Sequence, residues 1–204
     1  MPNARPRPYH HGDLPEALKR AVLELVVEGG LEAVTVAGAA RRVGVGPTAP
    51  YKHFDNLDDM LVATALDGYQ RFRERQKRVS EGQPDAESEL LAVLDEYFRF
   101  ARDEPGAFTL IFNSSLTRRS RRIDPWAQED YDNALRLVSQ MTGAPATECR
   151  ELALAISALT IGQARMTIDR YSPVSTIDEA PALTRAGVRM LVAGFHACRS
   201  SGAS

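Results

Sequence analysis

The stretch GVGPTAPYKHF, Gly44 to Phe54, constrains this chain more than any other. It sets Pro47 and Pro50 three residues apart inside sequence that otherwise reads as helix. A proline inside a helix removes a hydrogen bond and clashes with the preceding turn, whereas at the first helical position it gives up a donor that has no intrahelical partner anyway. One short stretch must therefore hold a helix end, a turn and a helix start. The arrangement that satisfies this is a helix Val36–Val43, capped by Thr35 and stopped by Gly44, then a turn, then a brief helix from Pro47 to about Phe54. Pro50 removes the first true hydrogen bond of that brief helix, so its turn is expected to be distorted or 3-10-like.

The remainder also reads as helix. Asp13 with Glu16 forms a capping-box pattern, Pro15 falls in the first turn, and Leu14, Leu18, Ala21, Val22 and Leu25 recur at helical spacing up to Gly29 and Gly30. Asn56 caps a long fourth helix through Leu57, Met60, Leu61, Ala65, Tyr69 and Phe72. SEGQPD, Ser80 to Asp85, reads as a linker. Beyond it, helical patterns carry Leu90, Leu94, Tyr97, Phe98 and Ala101, start after Pro105, run from Asp124 to Met141, and span about 147–171 and 180–199. No strand pattern or internal repeat stands out. The expected fold is all-α with about nine helices: an arm and helix-turn-helix domain over 1–56, a connecting helix over 57–79, and a helical ligand-binding and dimerisation domain over 80–204.

A glycine-stopped helix, a short turn and a second short helix form the layout of a helix-turn-helix, whose second helix offers its N-terminal end to the DNA major groove. Pro47, Thr48, Ala49 and Pro50 would make a stiff, narrow nose. Thr48 can hydrogen-bond a base or a phosphate, and the Ala49 methyl and the proline rings suit thymine methyls. Tyr51, Lys52 and His53 offer phosphate donors. The first sixty residues are not basic as a whole, but from Ala33 to Phe54 the cations Arg41, Arg42 and Lys52 face no carboxylate at all. Arg5 and Arg7 add two cations on the arm, placed to follow a groove.

TVAGAARRVGVGPTAPYKHFDNLDDMLVA resembles the DNA-binding segment of the tetracycline-repressor-like (TetR) family, and YHHGDLPEAL resembles the start of the first helix in one of its subgroups. The resemblance implies a homodimeric transcriptional repressor that binds a palindromic operator through its N-terminal helices and a small-molecule inducer in its C-terminal domain. It points to Thr35 and Tyr51 as phosphate contacts, to Thr48, Ala49 and Lys52 as base-side residues, and to His53 near the DNA backbone. The subgroup's W-x-x-x-H-G pattern is met only at Gly162, with Ser157 and Ile161 where Trp and His would stand, so no inducer of that subgroup carries over.

The last two helices are rich in small residues that permit close approach. Ala158, Gly162, Gly187 and Gly194, with Arg165, Leu191 and Phe195, are the candidate dimer face; close packing within one subunit is the competing reading. An inducer cavity is expected between helices, lined by Tyr97, Phe98, Phe108, Phe112, Trp126, Tyr131, Met141 and Met166, with Gln163 and Arg165 as polar anchors. Such walls suit an apolar or aromatic molecule; the competing reading is that most of these side chains simply fill a core. RRSRR, Arg118 to Arg122, reads as solvated surface charge or an anion contact.

Other classes fit less well. The 204 residues, 44% hydrophobic and 25% charged, have the composition of an ordinary soluble globular protein. No run of about 18 apolar residues predicts a membrane span, and the N-terminus lacks the apolar core of a secretory signal. Cys149 and Cys198 have no C-x-x-C spacing, which argues against a zinc ribbon or a disulfide scaffold and points to a reducing cytoplasm. No cofactor or metal site is expected. A redox- or metal-responsive regulator using the two cysteines is the alternative sensor. An enzyme is not expected: adjacent His10 and His11 would diverge, and no metalloprotease, nucleophile-elbow or P-loop spacing occurs.

Overall fold

A computed structural model of the chain describes residues 14–112, 116, 124–169 and 176–202. The expected arm with Arg5 and Arg7, the Asp13 cap and the Arg118–Arg122 run lie outside the described residues. Within them the fold is all-α. In chain order the helices are α1 Leu14–Gly29, α2 Val36–Val43, α3 Leu57–Ser80, α4 Ala86–Asp103, α5 Pro105–Ile111, α6 Asp124–Thr142, α7 Arg150–Ile168 and α8 Ala180–Gly202, with 3-10 turns at Leu31–Ala33 and Pro50–Lys52. The third of the nine expected helices is thus a single 3-10 turn. Pro50 cannot donate to the Gly46 carbonyl; the Ala49 N–H takes that oxygen at 3.0 Å, and the chain closes in three-residue steps through Lys52 N–H to Ala49 O at 3.2 Å and His53 N–H to Pro50 O at 2.9 Å.

The helix ends follow local chemistry. Asn56 caps α3 by accepting from the Asp59 N–H at 2.9 Å. Asp85 caps α4 by accepting from the Ser88 N–H at 2.7 Å, and Pro105 opens α5. The start of α7 is delayed to Arg150 because Glu148 and Cys149 donate back to Pro145 and Ala146 in turns of 2.9 and 3.1 Å.

The chain divides within α3 into two compact units, Met1–Asp67 and Gly68–Ser204. In the first, α1 buries Leu14, Ala17, Leu18, Ala21, Val22 and Val26, an i, i+3, i+4, i+7 stripe, and packs against α2 and both 3-10 turns. In the second, α4, α6, α7 and α8 enclose Leu90, Leu94, Leu137, Val138, Ile156 and Val188. Beside that core Phe72 is ringed by Tyr97, Phe100 and Phe112 at centroid distances of 4.8, 4.9 and 5.9 Å. The buried Glu96 carboxylate is paired with Arg75, whose guanidinium also lies 5.4 Å over the Phe100 ring.

Gly68 brings α3 against α5. A Cβ there would stand 3.1 Å from the Ala107 Cβ and 3.4 Å from the Ile111 Cδ1, and the alanine has no rotamer with which to retreat. Gly187 is similarly close to Leu159, at 2.7 Å, but that neighbour is the end of a flexible side chain. Gly68→Val is expected to destabilise the protein by about 1–3 kcal/mol, the usual cost of overpacking, read as a lower urea midpoint at constant slope. Wild-type stability in the variant would mean that the α3–α5 approach is not tight.

Candidate nucleic-acid interface

The α2 helix starts and stops with little freedom. Thr35 stands in extended backbone at φ −135°, ψ 152°, and its hydroxyl accepts from the Gly38 N–H at 2.9 Å. A Cβ on Gly38 would come within 2.8 Å of that same oxygen, so the cap and the glycine are a matched pair. At the other end Gly44 has φ 81° and ψ 29°, in the left-handed region. Its N–H reaches the Ala40 and Arg41 carbonyls at 3.0 and 3.2 Å, and the Val45 N–H returns to Ala40 O at 3.0 Å. This is a Schellman closure, and it turns the chain towards Pro47.

The two prolines then do different jobs. Pro47 and Thr48 are exposed and Ala49 is half-buried, whereas Pro50 is buried in a turn that contacts α1. Phe54, four residues on, is also buried. Between these anchors Tyr51, Lys52 and His53 are all exposed, Tyr51 by 57%. The expected nose of four residues therefore shortens by one: the Pro50 ring belongs to the core and is not available to a thymine methyl.

Charge is also redistributed. Arg42 is held by α1, with bidentate contacts to Glu28 at 2.6 and 2.5 Å and a third to Glu24 at 3.2 Å. The guanidinium holds the Glu28 carboxyl below its ordinary range, mainly by hydrogen bonding. Arg42 therefore does not meet the expectation of a cation without a carboxylate. Arg41 and Lys52 are exposed and make no ion pair with a described residue; Lys52 closes the 3-10 turn and Arg41 lies in the last turn of α2. The Thr35 oxygen is occupied as an acceptor, but its hydroxyl proton is still available to a phosphate.

The second unit holds a cavity of about 340 Å³ lined by Arg73, Gln76, Lys77, Asp130, Asn133 and Arg136 among others. It adjoins an inner chamber of about 30 Å³ that shares Gln76, Val93, Asp130 and Asn133. Of the expected lining, Tyr97 borders the inner chamber and Trp126 a neighbouring groove. Phe98 and Phe108 are closed into the core, Phe112 stacks on Phe108 at 4.5 Å, and Tyr131 and Met141 pack on the bundle's apolar cluster. Met166 and Gln163 are half-buried on α7. The walls are more polar than the aromatic residues suggested, because those residues fill the core while Gln76, Asp130 and Asn133 line the space. No sequence pattern separated the latter from an ordinary solvated helix face.

On α7 and α8 the largest exposed apolar side chains are Leu154 (55%), Leu183 (47%) and Met190 (74%). Leu154, Ala158 and Gly162 recur every four residues along one face of α7, a spacing that could have singled out Leu154. A Cβ on Gly162 or Gly194 meets open space, and Arg165, Leu191 and Phe195 are half-buried. Gly187 instead packs against Leu159 of its own subunit. Cys149 is buried, with its sulfur near the Thr142 hydroxyl at 3.4 Å, and Cys198 is exposed; both are free thiols. No described helix is long and apolar enough to cross a membrane.

No family model matches the chain. The HTH-type transcriptional activator FasR of Mycolicibacterium smegmatis is 21% identical over 157 residues, 76% of this chain and 72% of that protein. A TetR-like transcriptional regulator from Rhodococcus sp. RHA1 superposes with a TM-score of 0.71 at 13% identity, over 92% of this chain and all of that one (100%). A TetR-family transcriptional regulator from Streptomyces coelicolor gives 0.60 at 24% identity, over 87% and 99%. The chain has the TetR-like fold.

Thr35→Val is expected to cost about 1 kcal/mol of stability by removing the cap, while Thr35→Ser retains it. Thermal unfolding of the two variants checks this; equal melting temperatures would show that the hydroxyl is not capping α2.

Proposed function

We propose that the protein is a ligand-responsive transcriptional regulator that binds a palindromic operator as a homodimer. The carrying observation is the turn Pro50–Lys52: Pro50 and Phe54 are buried, and the residues between them are presented outward. In this reading Thr48, Ala49 and Lys52 face base edges, and Thr35, Arg41, Tyr51 and His53 contact the phosphate backbone. Pro47 shapes the approach. Arg42, held by two carboxylates of α1, positions α2 and contributes to DNA only through the field it leaves. Repression is the default mode, because occupancy of an operator suffices to block a promoter, and a small molecule in the cavity of the second unit releases it. Arg73, Gln76 and Lys77 of that cavity sit on α3, the helix that also begins the connection from the turn, so α3 is the covalent link between ligand and DNA. The similarity to FasR and to TetR-like regulators supports a regulator over an enzyme.

Dimerisation is supported by the exposed Leu154, Leu183 and Met190 on the two helices that also carry the open Gly162 and Gly194. A two-fold pair would set its reading turns against half-sites about 34–36 Å apart. Two charges on this face, Leu154→Glu with Met190→Glu, are expected to convert a micromolar dimer to monomer in sedimentation and to weaken operator binding in parallel. A double variant that stays dimeric would place the interface elsewhere.

Selection of bound sequences from a random duplex pool tests the function itself. The wild type is expected to enrich a palindrome, and Lys52→Ala to weaken binding to it by about 1–3 kcal/mol with relaxed preference at one position per half-site. An equal loss on every sequence, with a salt slope reduced by about one, would move Lys52 to the phosphates. Failure of the wild type to enrich any sequence at low salt would overturn the regulator reading.

A further inference from the structure

We infer that the cavity of the second unit takes a small organic ammonium ion, seated on the Asp130 carboxylate with the side-chain amide of Gln76 in the same lining. This deepens the proposed function, since it rests on that cavity being the ligand site and names the ligand's chemistry. It departs from the apolar ligand that the aromatic residues suggested.

The argument begins with the charges on the wall. Four carboxylates and three cations line the outer cavity. Arg136 is paired with Glu89 at 2.8 Å, and Arg73 with Glu129. Those pairs cancel, and Lys77 and Glu81 are exposed at the rim, where water screens them. Asp130 is left. It lies where the outer cavity meets the inner chamber and is, among the described residues, the one charged group in the inner lining.

Its surroundings compensate that charge poorly. A carboxylate offers about four acceptor positions. The Tyr69 O–H donates to one, and the Arg73 Nε stands 4.0 Å away, beyond hydrogen-bond reach. Burial accordingly pushes the Asp130 carboxyl above its ordinary range, against the opposing effects of Tyr69 and Arg73. Water can serve the remaining acceptor positions while the cavity is open, but a bound ligand displaces it. An apolar ligand would leave a buried carboxylate unsatisfied, and an anionic one would meet it as a like charge in a medium that screens little. An ammonium group brings both the opposite charge and N–H donors. The Gln76 carbonyl oxygen can take an N–H bond that Asp130 does not, the Asn133 oxygen being already held by Arg136 at 2.7 and 3.2 Å, and the space of about 340 Å³ accepts a compact organic body.

The test is calorimetric titration of the full chain, without DNA, with two probes of like shape and opposite charge: 2-phenylethylamine and 3-phenylpropanoate. The amine is expected to bind at least about tenfold more tightly than the carboxylate, and Asp130→Asn, which keeps the side chain's shape, to lower the amine's affinity by about tenfold or more. The inference is overturned if the carboxylate binds as tightly, if neither probe binds, or if Asp130→Asn leaves the amine's affinity intact. The wild-type comparison decides the matter even if the substitution unfolds the protein. A chain that selects an operator but ignores the amine sinks this inference alone; one that binds the amine but selects no DNA keeps it and sinks the regulator reading.

Discussion

The reading turn depends on the burial of two side chains four residues apart. Pro50 and Phe54 are drawn into the core of the first unit, and everything exposed between them follows from that. An α-helix would give the same separation with a regular ladder, but Pro50 denies the ladder its donor, so the chain settles into a single 3-10 turn. Upstream, the left-handed Gly44 and the Thr35–Gly38 cap fix where α2 begins and ends. The turn is thus tethered from both sides by ordinary folding forces, hydrophobic burial and backbone hydrogen bonding, and the side chains of its outward residues take no part in that tethering.

Charge follows a different rule in each unit. In the first, Arg42 is engaged on both oxygens of Glu28, while the exposed Arg41 and Lys52 make no ion pair with a described residue. In the second, the ion pairs cluster around the cavity and neutralise one another until a single carboxylate remains inside. Pairing exposed charges adds little stability. Here its effect is selective: it determines which charges are left over for a partner to recognise.

Much of the fold was legible in the sequence, and the places where it was not share a physical cause. The bounds of α2 could be read because the cap, the glycine and the apolar spacing are all local. The extent of the helix after Pro47 could not, since the outcome depended on whether Pro50 would be exposed or pulled into the core, a tertiary matter. Arg42 looked unopposed because its carboxylates lie on α1, 14 and 18 residues earlier. Phe98 and Phe108 were candidates for a cavity wall and instead fill the core, Phe108 against the Phe112 ring. Asp130 and Asn133 gave no warning, because a polar residue on an amphipathic helix has the same sequence signature whether it faces bulk water or a cavity. Leu154 carried a signal, its spacing of four residues from Ala158 and eight from Gly162 on α7.

The separation of anchors from outward residues in the turn has a consequence for how such a protein diversifies. Thr48, Tyr51, Lys52 and His53 contribute almost nothing to the core, so their identities are nearly decoupled from folding. After gene duplication, a copy can drift to a new DNA address one side chain at a time without passing through an unstable intermediate, provided that Pro50 and Phe54 are kept. The same modularity makes these four positions a compact library site for retargeting, in which the scaffold need not be rebuilt each time the address changes.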